Sequence, residues 1–191
     1  YFLTANHCLG GSTGSWAFRF NWQSPPGTES CATTAGSTDP GPPYDQTANG
    51  ATTLVNSGAS DYALLEIDNM SLSDAQNWNC YFAGWDASDL TTVTEATGIH
   101  HPSGDVKKIC RENDAPYHSN AGGAAVWYID EWEEGVTEPC SSGSPLFDQN
   151  HRIIGQLYGG AAACAGTSNN GQYDFYGRLG VSWTNGLNAY L

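Results

Sequence analysis

Hydrophobic residues along this chain fall in short runs separated by turn-forming residues. Residues 1–8 read as the end of an apolar strand. Residues 15–22 (Ser-Trp-Ala-Phe-Arg-Phe-Asn-Trp) alternate in polarity as a second strand should. Two more short strands are expected over residues 52–55 and 61–67, joined by a Gly-containing turn, and residues 71–77 make one helical turn. Residues 80–85 are read as a strand with residues 93–100 as its antiparallel partner. Further strands are expected over residues 106–109, 124–129, 145–147, 153–158 and 177–183. A terminal helix begins near Asn185, which serves as its cap. Residues 23–50 are rich in Pro, Gly, Thr and Ser and read as a long surface loop fastened at Cys31.

Many short strands with turns between them predict an all-β barrel or sandwich. A length of 191 residues is enough for one large all-β domain or two small barrels sharing a cleft. Hydrophobic residues make up 39% of the chain and charged ones 14%, a composition that supports a packed core. The formal charge of −14 argues against nucleic acid as a partner, because a phosphate backbone is held by basic groups. It favours cationic peptides. No apolar run approaches the roughly 18 residues of a membrane helix, so no membrane partner is expected. Six cysteines beside one methionine point to an oxidising, extracellular location, and the lack of a CxxC pair argues against a zinc ribbon. His100-His101-Pro102 lacks partner ligands at useful spacing and reads as a turn of structural histidines, so no metal site is assigned.

Three segments carry the chemistry: Leu3-Thr4-Ala5-Asn6-His7-Cys8, Ser60-Asp61-Tyr62-Ala63-Leu64-Leu65, and Glu138-Pro139-Cys140-Ser141-Ser142-Gly143-Ser144-Pro145. Each alone has a structural explanation. Together they give the order His, Asp, Ser, with separations of 54 and 81 residues. Serine needs an adjacent base to act as a nucleophile, and an imidazole oriented by a carboxylate supplies it.

The first segment resembles the Thr-Ala-x-His-Cys signature of chymotrypsin-like proteases, and the third their Gly-x-Ser-Gly-[Gly/Ser]-Pro nucleophile loop. Further blocks resemble bacterial lysyl endopeptidases. These are Tyr1-Phe2-Leu3-Thr4-Ala5, Ala83-Gly84-Trp85-Asp86, Ile99-His100-His101-Pro102, Gly135-Val136-Thr137-Glu138-Pro139, Gly155-Gln156-Leu157, Tyr176-Gly177-Arg178 and Ser182-Trp183-Thr184.

The resemblance implies a chymotrypsin-like double β-barrel. Residues 1–75 would form the remainder of the N-terminal barrel, truncated at its amino end, and residues 76–191 the C-terminal barrel. It implies His7 as general base, Asp61 as its orienting partner and Ser142 as nucleophile, with the N–H groups of Cys140 and Ser142 as the oxyanion hole. Asp174 would be the base of the primary specificity pocket, lined also by Tyr158, Gly159 and Gly160. The implied activity is a secreted, monomeric serine endopeptidase without a cofactor, acting on polypeptides after Lys in preference to Arg. The alternative is a catalytically impaired homologue that binds proteins through the same cleft.

Several positions depart from the resembled pattern. Cys140 stands where glycine is expected, at a cost of roughly 1–2 kcal/mol if its φ is positive. Cys110 stands where serine is expected, and the two unusual cysteines imply a Cys110–Cys140 disulfide. Cys8, Cys31 and Cys164 match family cysteines whose partners lie upstream of residue 1, leaving Cys80 over. Ser141 stands where trypsin has aspartate, and Tyr158 replaces the histidine of the resembled Gly-Gln-Leu-His-Gly-Gly segment.

Overall fold

The computed structural model describes residues 1–25, 27, 44–90, 92–164 and 171–191. Cys31 and most of the expected 23–50 loop lie outside them. The fold is mostly antiparallel β, with two short α-helices.

Three small elements build the amino-terminal half. Strands β1 (Phe2–Ala5), β4 (Ala51–Ser57) and β5 (Tyr62–Ile67) make an open sheet in the order β1-β5-β4. Strands β2 (Ala17–Arg19) and β3 (Thr47–Asn49) pair beside it. Strand β3 falls at the end of the segment expected to be loop, where Thr47, Ala48 and Asn49 register against β2. Helix α1 (Leu72–Asn77) follows, begun by a capping box in which Ser71 and Asp74 satisfy each other's backbone N–H groups. The boundary expected between residues 75 and 76 falls inside this helix.

The second half is one seven-stranded sheet. Its strands are β6 (Ala96–His100), β7 (Lys108–Glu112), β8 (Tyr117–Ala121), β9 (Ala124–Ile129), β10 (Pro145–Asp148), β11 (Ile153–Gly160) and β12 (Asp174–Arg178). The order is β7-β6-β10-β11-β12-β9-β8. Strands β7 and β8 lie at opposite edges, yet a linker of four residues joins them. Laid flat, seven strands would hold the edges roughly 29 Å apart. The step from Glu112 to Tyr117 reaches at most about 18 Å. The sheet must therefore roll up, as a barrel does, although the described strands show no ladder between β7 and β8. Residues 133–134 lie along the β7 edge instead: Arg111 N–H donates to Glu134 C=O at 2.9 Å, and Glu133 N–H to Arg111 C=O at 3.1 Å.

Two expected strands are not strands. Residues 80–85 run as irregular chain with Tyr81 and Phe82 exposed. This segment is pinned at its start, where Cys80 N–H donates to Ala75 C=O at 2.8 Å, and near Trp85, which bridges Ile153 and packs on Trp183. Strand β6 pairs with β10 and β7 instead. Residues 179–183 form helix α2 (Leu179–Thr184), because Leu179, Gly180 and Ser182 share a buried face that a two-residue period could not produce. Asn185 ends α2 rather than starting a helix, and its N–H returns to Val181 and Ser182 C=O.

The rolled sheet closes on its own core of Val93, Ala96, Cys110, Trp127, Ile129, Trp132, Leu146, Ile154, Leu157 and Tyr176. The small sheet has a thinner one, Phe18, Ala48, Ala51 and Leu65. Two more of its buried residues, Tyr62 and Leu64, pack against Leu179 and Leu187 from the carboxyl-terminal segment.

Candidate active site

His7 sits in a single 3-10 turn (Asn6–Cys8) at the end of β1, and Asp61 immediately precedes β5. The pairing of β1 with β5 brings both to one end of the small sheet. Asn6 N–H donates to Asp61 C=O at 2.8 Å, and His7 N–H donates to Asp61 Oδ1 at 2.9 Å. The imidazole Nδ1 lies 2.6 Å from Asp61 Oδ2, and its Nε2 lies 2.9 Å from Ser142 Oγ. An unbroken line thus runs from a buried carboxylate through a half-exposed ring to a hydroxyl on the other sheet.

The turn carrying Asp61 is fixed from the far side. Gln156 Nε2 donates to Ser60 C=O at 2.7 Å, Ala125 N–H donates to Ala59 C=O at 2.8 Å, and the hydroxyls of Ser60 and Ser182 meet at 2.8 Å. These contacts come from β11, β9 and α2. A β-carbon at Gly177 would overlap Ser60 C=O, so that glycine permits the close approach.

Ser142 lies in a tight turn before β10. Ser141 N–H donates to Glu138 C=O, Gly143 N–H to Leu157 C=O and Ser144 N–H to Ser141 C=O. The N–H groups of Cys140 and Ser142 have no acceptor among the described residues. Cys140 holds φ of +75°, which incurs the left-handed cost expected at that position. Gly143, at φ +83°, presses so close to Thr4 that a β-carbon would overlap its Oγ1. Behind the turn, buried His100 reaches Ser141 Oγ with Nδ1 at 3.0 Å. Burial pushes the His100 imidazole down to about 4, so it is neutral at physiological pH.

Cys110 and Cys140 are both free thiols, so the expected disulfide is not formed. Cys110 points into the sealed core and donates to Gly98 C=O at 3.7 Å, while Cys140 faces solvent. Burial raises the Cys110 thiol well above its ordinary value. Cys8, Cys80 and Cys164 are likewise unbridged.

Asp174 opens β12 opposite Gly160 of β11 and is 1% exposed. Its Oδ2 accepts from Trp132 Nε1 at 2.7 Å and from Thr137 Oγ1 at 2.6 Å. No cationic side chain pairs with it among the described residues. Burial raises its carboxyl to about 6, against the lowering effect of Thr137, Trp132 and the Ala162 backbone. A β-carbon at Gly160 would overlap Asp174 Oδ1, whereas one at Gly159 would make an ordinary 3.6 Å contact with Phe175. Gly160 therefore makes room for the carboxylate itself. The Tyr158 ring lies 5.7 Å from the His7 ring and 5.2 Å from the Phe175 ring, centroid to centroid.

The match to the family model of the lysyl endopeptidase C-terminal domain extends over residues 1–177. The chain belongs to that family. A lysyl endopeptidase of Pseudomonas aeruginosa is 34% identical over an alignment of 104 residues that covers 51% of this chain and 22% of that protein. The chain thus matches about a fifth of its relative's length. Among solved structures, a Glu endopeptidase in complex with MPD superposes with TM-score 0.59 at 18% identity, covering 98% of this chain and 79% of that one. A thermostable serine protease, AL20, from an extremophilic microorganism gives 0.58 at 15% identity, covering 98% and 82%. These likenesses show the chymotrypsin-type fold.

Sequence reasoning on this lysyl endopeptidase family member missed Trp132 and Thr137, which hold Asp174, and gave His100 no part in the nucleophile turn. Thr137 had a readable signal, because it lies in the block of residues 135–139 that overlaps the segment carrying Ser142. Trp132 and His100 had none, since their roles follow from strand pairings far apart in sequence.

Proposed function

We propose that this chain is the catalytic domain of a secreted serine endopeptidase that cleaves after a basic residue, lysine before arginine. The line from Asp61 through His7 to Ser142 carries this reading. In it His7 Nε2 takes the proton of Ser142 Oγ as that oxygen attacks the scissile carbonyl carbon. Asp61 holds the other ring nitrogen and stabilises the imidazolium. The oxyanion forms against the unengaged N–H groups of Cys140 and Ser142, which need no reorganisation to receive it. His7 then protonates the departing amine, the peptide C–N bond breaks, and water repeats the sequence on the acyl-enzyme. The strain at Cys140 costs stability but leaves both donors in place.

The preference for a cationic side chain rests on Asp174, whose charge is offset only by neutral donors. Lysine is favoured over arginine because Oδ2 already accepts two hydrogen bonds. A guanidinium fork needs a pair of open oxygens, whereas an ammonium approaches as a point charge. Tyr158, Gly159 and Gly160 form the adjoining wall.

Fluorophosphonate labelling of the chain, with Ser142→Ala and His7→Ala beside it, tests the triad. We expect labelling at Ser142 in the parent alone, and turnover reduced roughly 10⁶-fold in either variant. A parent that stays unlabelled favours the impaired homologue that binds through its cleft. Mass spectrometry of products from a peptide library tests the pocket: cuts after apolar or acidic residues would remove Asp174 from it.

A further inference from the structure

The rolled sheet has a seam where β7 ends, and three carboxylates gather there. Glu112 closes β7, Asp114 lies in the linker to β8, and Glu133 lies in the segment that returns from β9 to the β7 edge. One oxygen from each lies within 4.8 Å of the others. Two oxygens bound to one calcium ion at 2.3–2.6 Å cannot be more than about 5 Å apart, so the three can share one ion.

The decisive member is Glu112. It is 4% exposed, and its Oε2 is buried without a donor from a neutral or cationic group; what its carboxyl meets is the carboxyl of Glu133. Its Oε1 accepts from Asp114 N–H at 2.8 Å, and Glu133 Oε2 accepts from Asn113 N–H at 2.7 Å. Both backbone donors are therefore used, and Oε2 is left among acceptors. No ion pair among the described residues involves Glu112, Asp114 or Glu133. The nearby Arg111 pairs with Glu134 instead, at 3.8 Å. A buried acceptor left facing other acceptors is costly unless a cation or a shared proton lies between them.

We propose that Glu112, Asp114 and Glu133 bind a calcium ion that fastens the seam of the second sheet. Three carboxylate oxygens with no sulfur or imidazole are a hard donor set. Asp114 is exposed and Glu133 half-buried, so water completes the shell from the solvent side. The ion would tie the β7–β8 linker to residues 130–134, where the sheet lacks a ladder.

The test is a calcium titration of chelator-treated protein, read by calorimetry and by thermal unfolding. We expect one saturable site with Kd of about 10⁻⁴–10⁻³ M, the range of extracellular modules, and an unfolding temperature that rises with calcium. Glu133→Gln, a change at the half-exposed position, should weaken binding at least about tenfold. Glu66→Gln, on the small sheet, should leave binding unchanged. Terbium luminescence from the unmodified chain, displaced by calcium, gives the same answer without a variant. Absence of saturable binding by both readouts overturns the proposal. So does a parent whose stability does not change with calcium beside a Glu112→Gln protein that equals it in chelator, since that result assigns the seam a shared proton instead.

Discussion

The two sheets hold their halves of the site in different ways. The seven-stranded sheet surrounds its own core and presents Ser142, Asp174 and His100 from a self-supporting frame. The three-stranded sheet has two open edges and a thin core, and it covers Tyr62 and Leu64 with side chains from α2 and the turn after it. Ser142 thus sits on a structure that stands by itself. His7 and Asp61 sit on one that leans on its neighbour.

Leucine-to-alanine changes on either side should break this comparison most visibly. Leu187→Ala and Leu146→Ala each remove a fully buried side chain, at about 2–5 kcal/mol. Leu187→Ala should speed amide exchange in β4 and β5 while β11 and β12 keep the parent's protection. Leu146→Ala should weaken both sheets together. Uniform loosening by Leu187→Ala, seen by hydrogen exchange, would show that the small sheet does not depend on borrowed packing.

Buried ionisable groups sharpen the contrast through pH. Asp174 in the folded protein titrates near 6, above its ordinary 3.8, so the native state holds more protons across that window. Its contribution to stability falls as pH rises from about 4 to 6, by on the order of 3 kcal/mol. His100 acts oppositely. Its pKa of about 4 lies below 6.5, so stability from this ring rises with pH across that interval. Asp174→Asn should therefore leave a steeper rise in stability between pH 4 and 6, measured by denaturant unfolding. An unaltered slope would remove the buried acid from the account.

The pin between the sheets comes next in size. Gln156→Leu strands the buried Ser60 C=O at about 1–3 kcal/mol. It should lower kcat more than it raises KM, because it loosens Asp61 without touching substrate. A change confined to KM would assign Gln156 to the pocket. The smallest effect is that of Cys140→Gly, which relieves a left-handed cysteine and should stabilise the protein by about 1–2 kcal/mol. Unfolding midpoints decide it, and a destabilised variant would show that the thiol contributes packing.

The strands with clear alternation were legible in the sequence, and so were the three segments that bring His7, Asp61 and Ser142 together, because each is a contiguous block. Residues 80–85 were misread as a strand: Tyr81 and Phe82 stay exposed, and the segment joins no sheet. Residues 179–183 were misread because a short apolar run does not declare its period until its neighbours are known. The Cys110–Cys140 pairing failed for a related reason. Two unusual cysteines can be counted in a chain, but whether they face each other depends on which side of β7 is sealed.

Helix α2 has a practical consequence for anyone trimming this protein. The family match ends at residue 177, two positions before Leu179. A fragment cut at that border would keep every residue of the proposed reaction and still expose Tyr62 and Leu64. Such a fragment would carry Ser142 on a sound scaffold beside His7 and Asp61 with nothing to rest against.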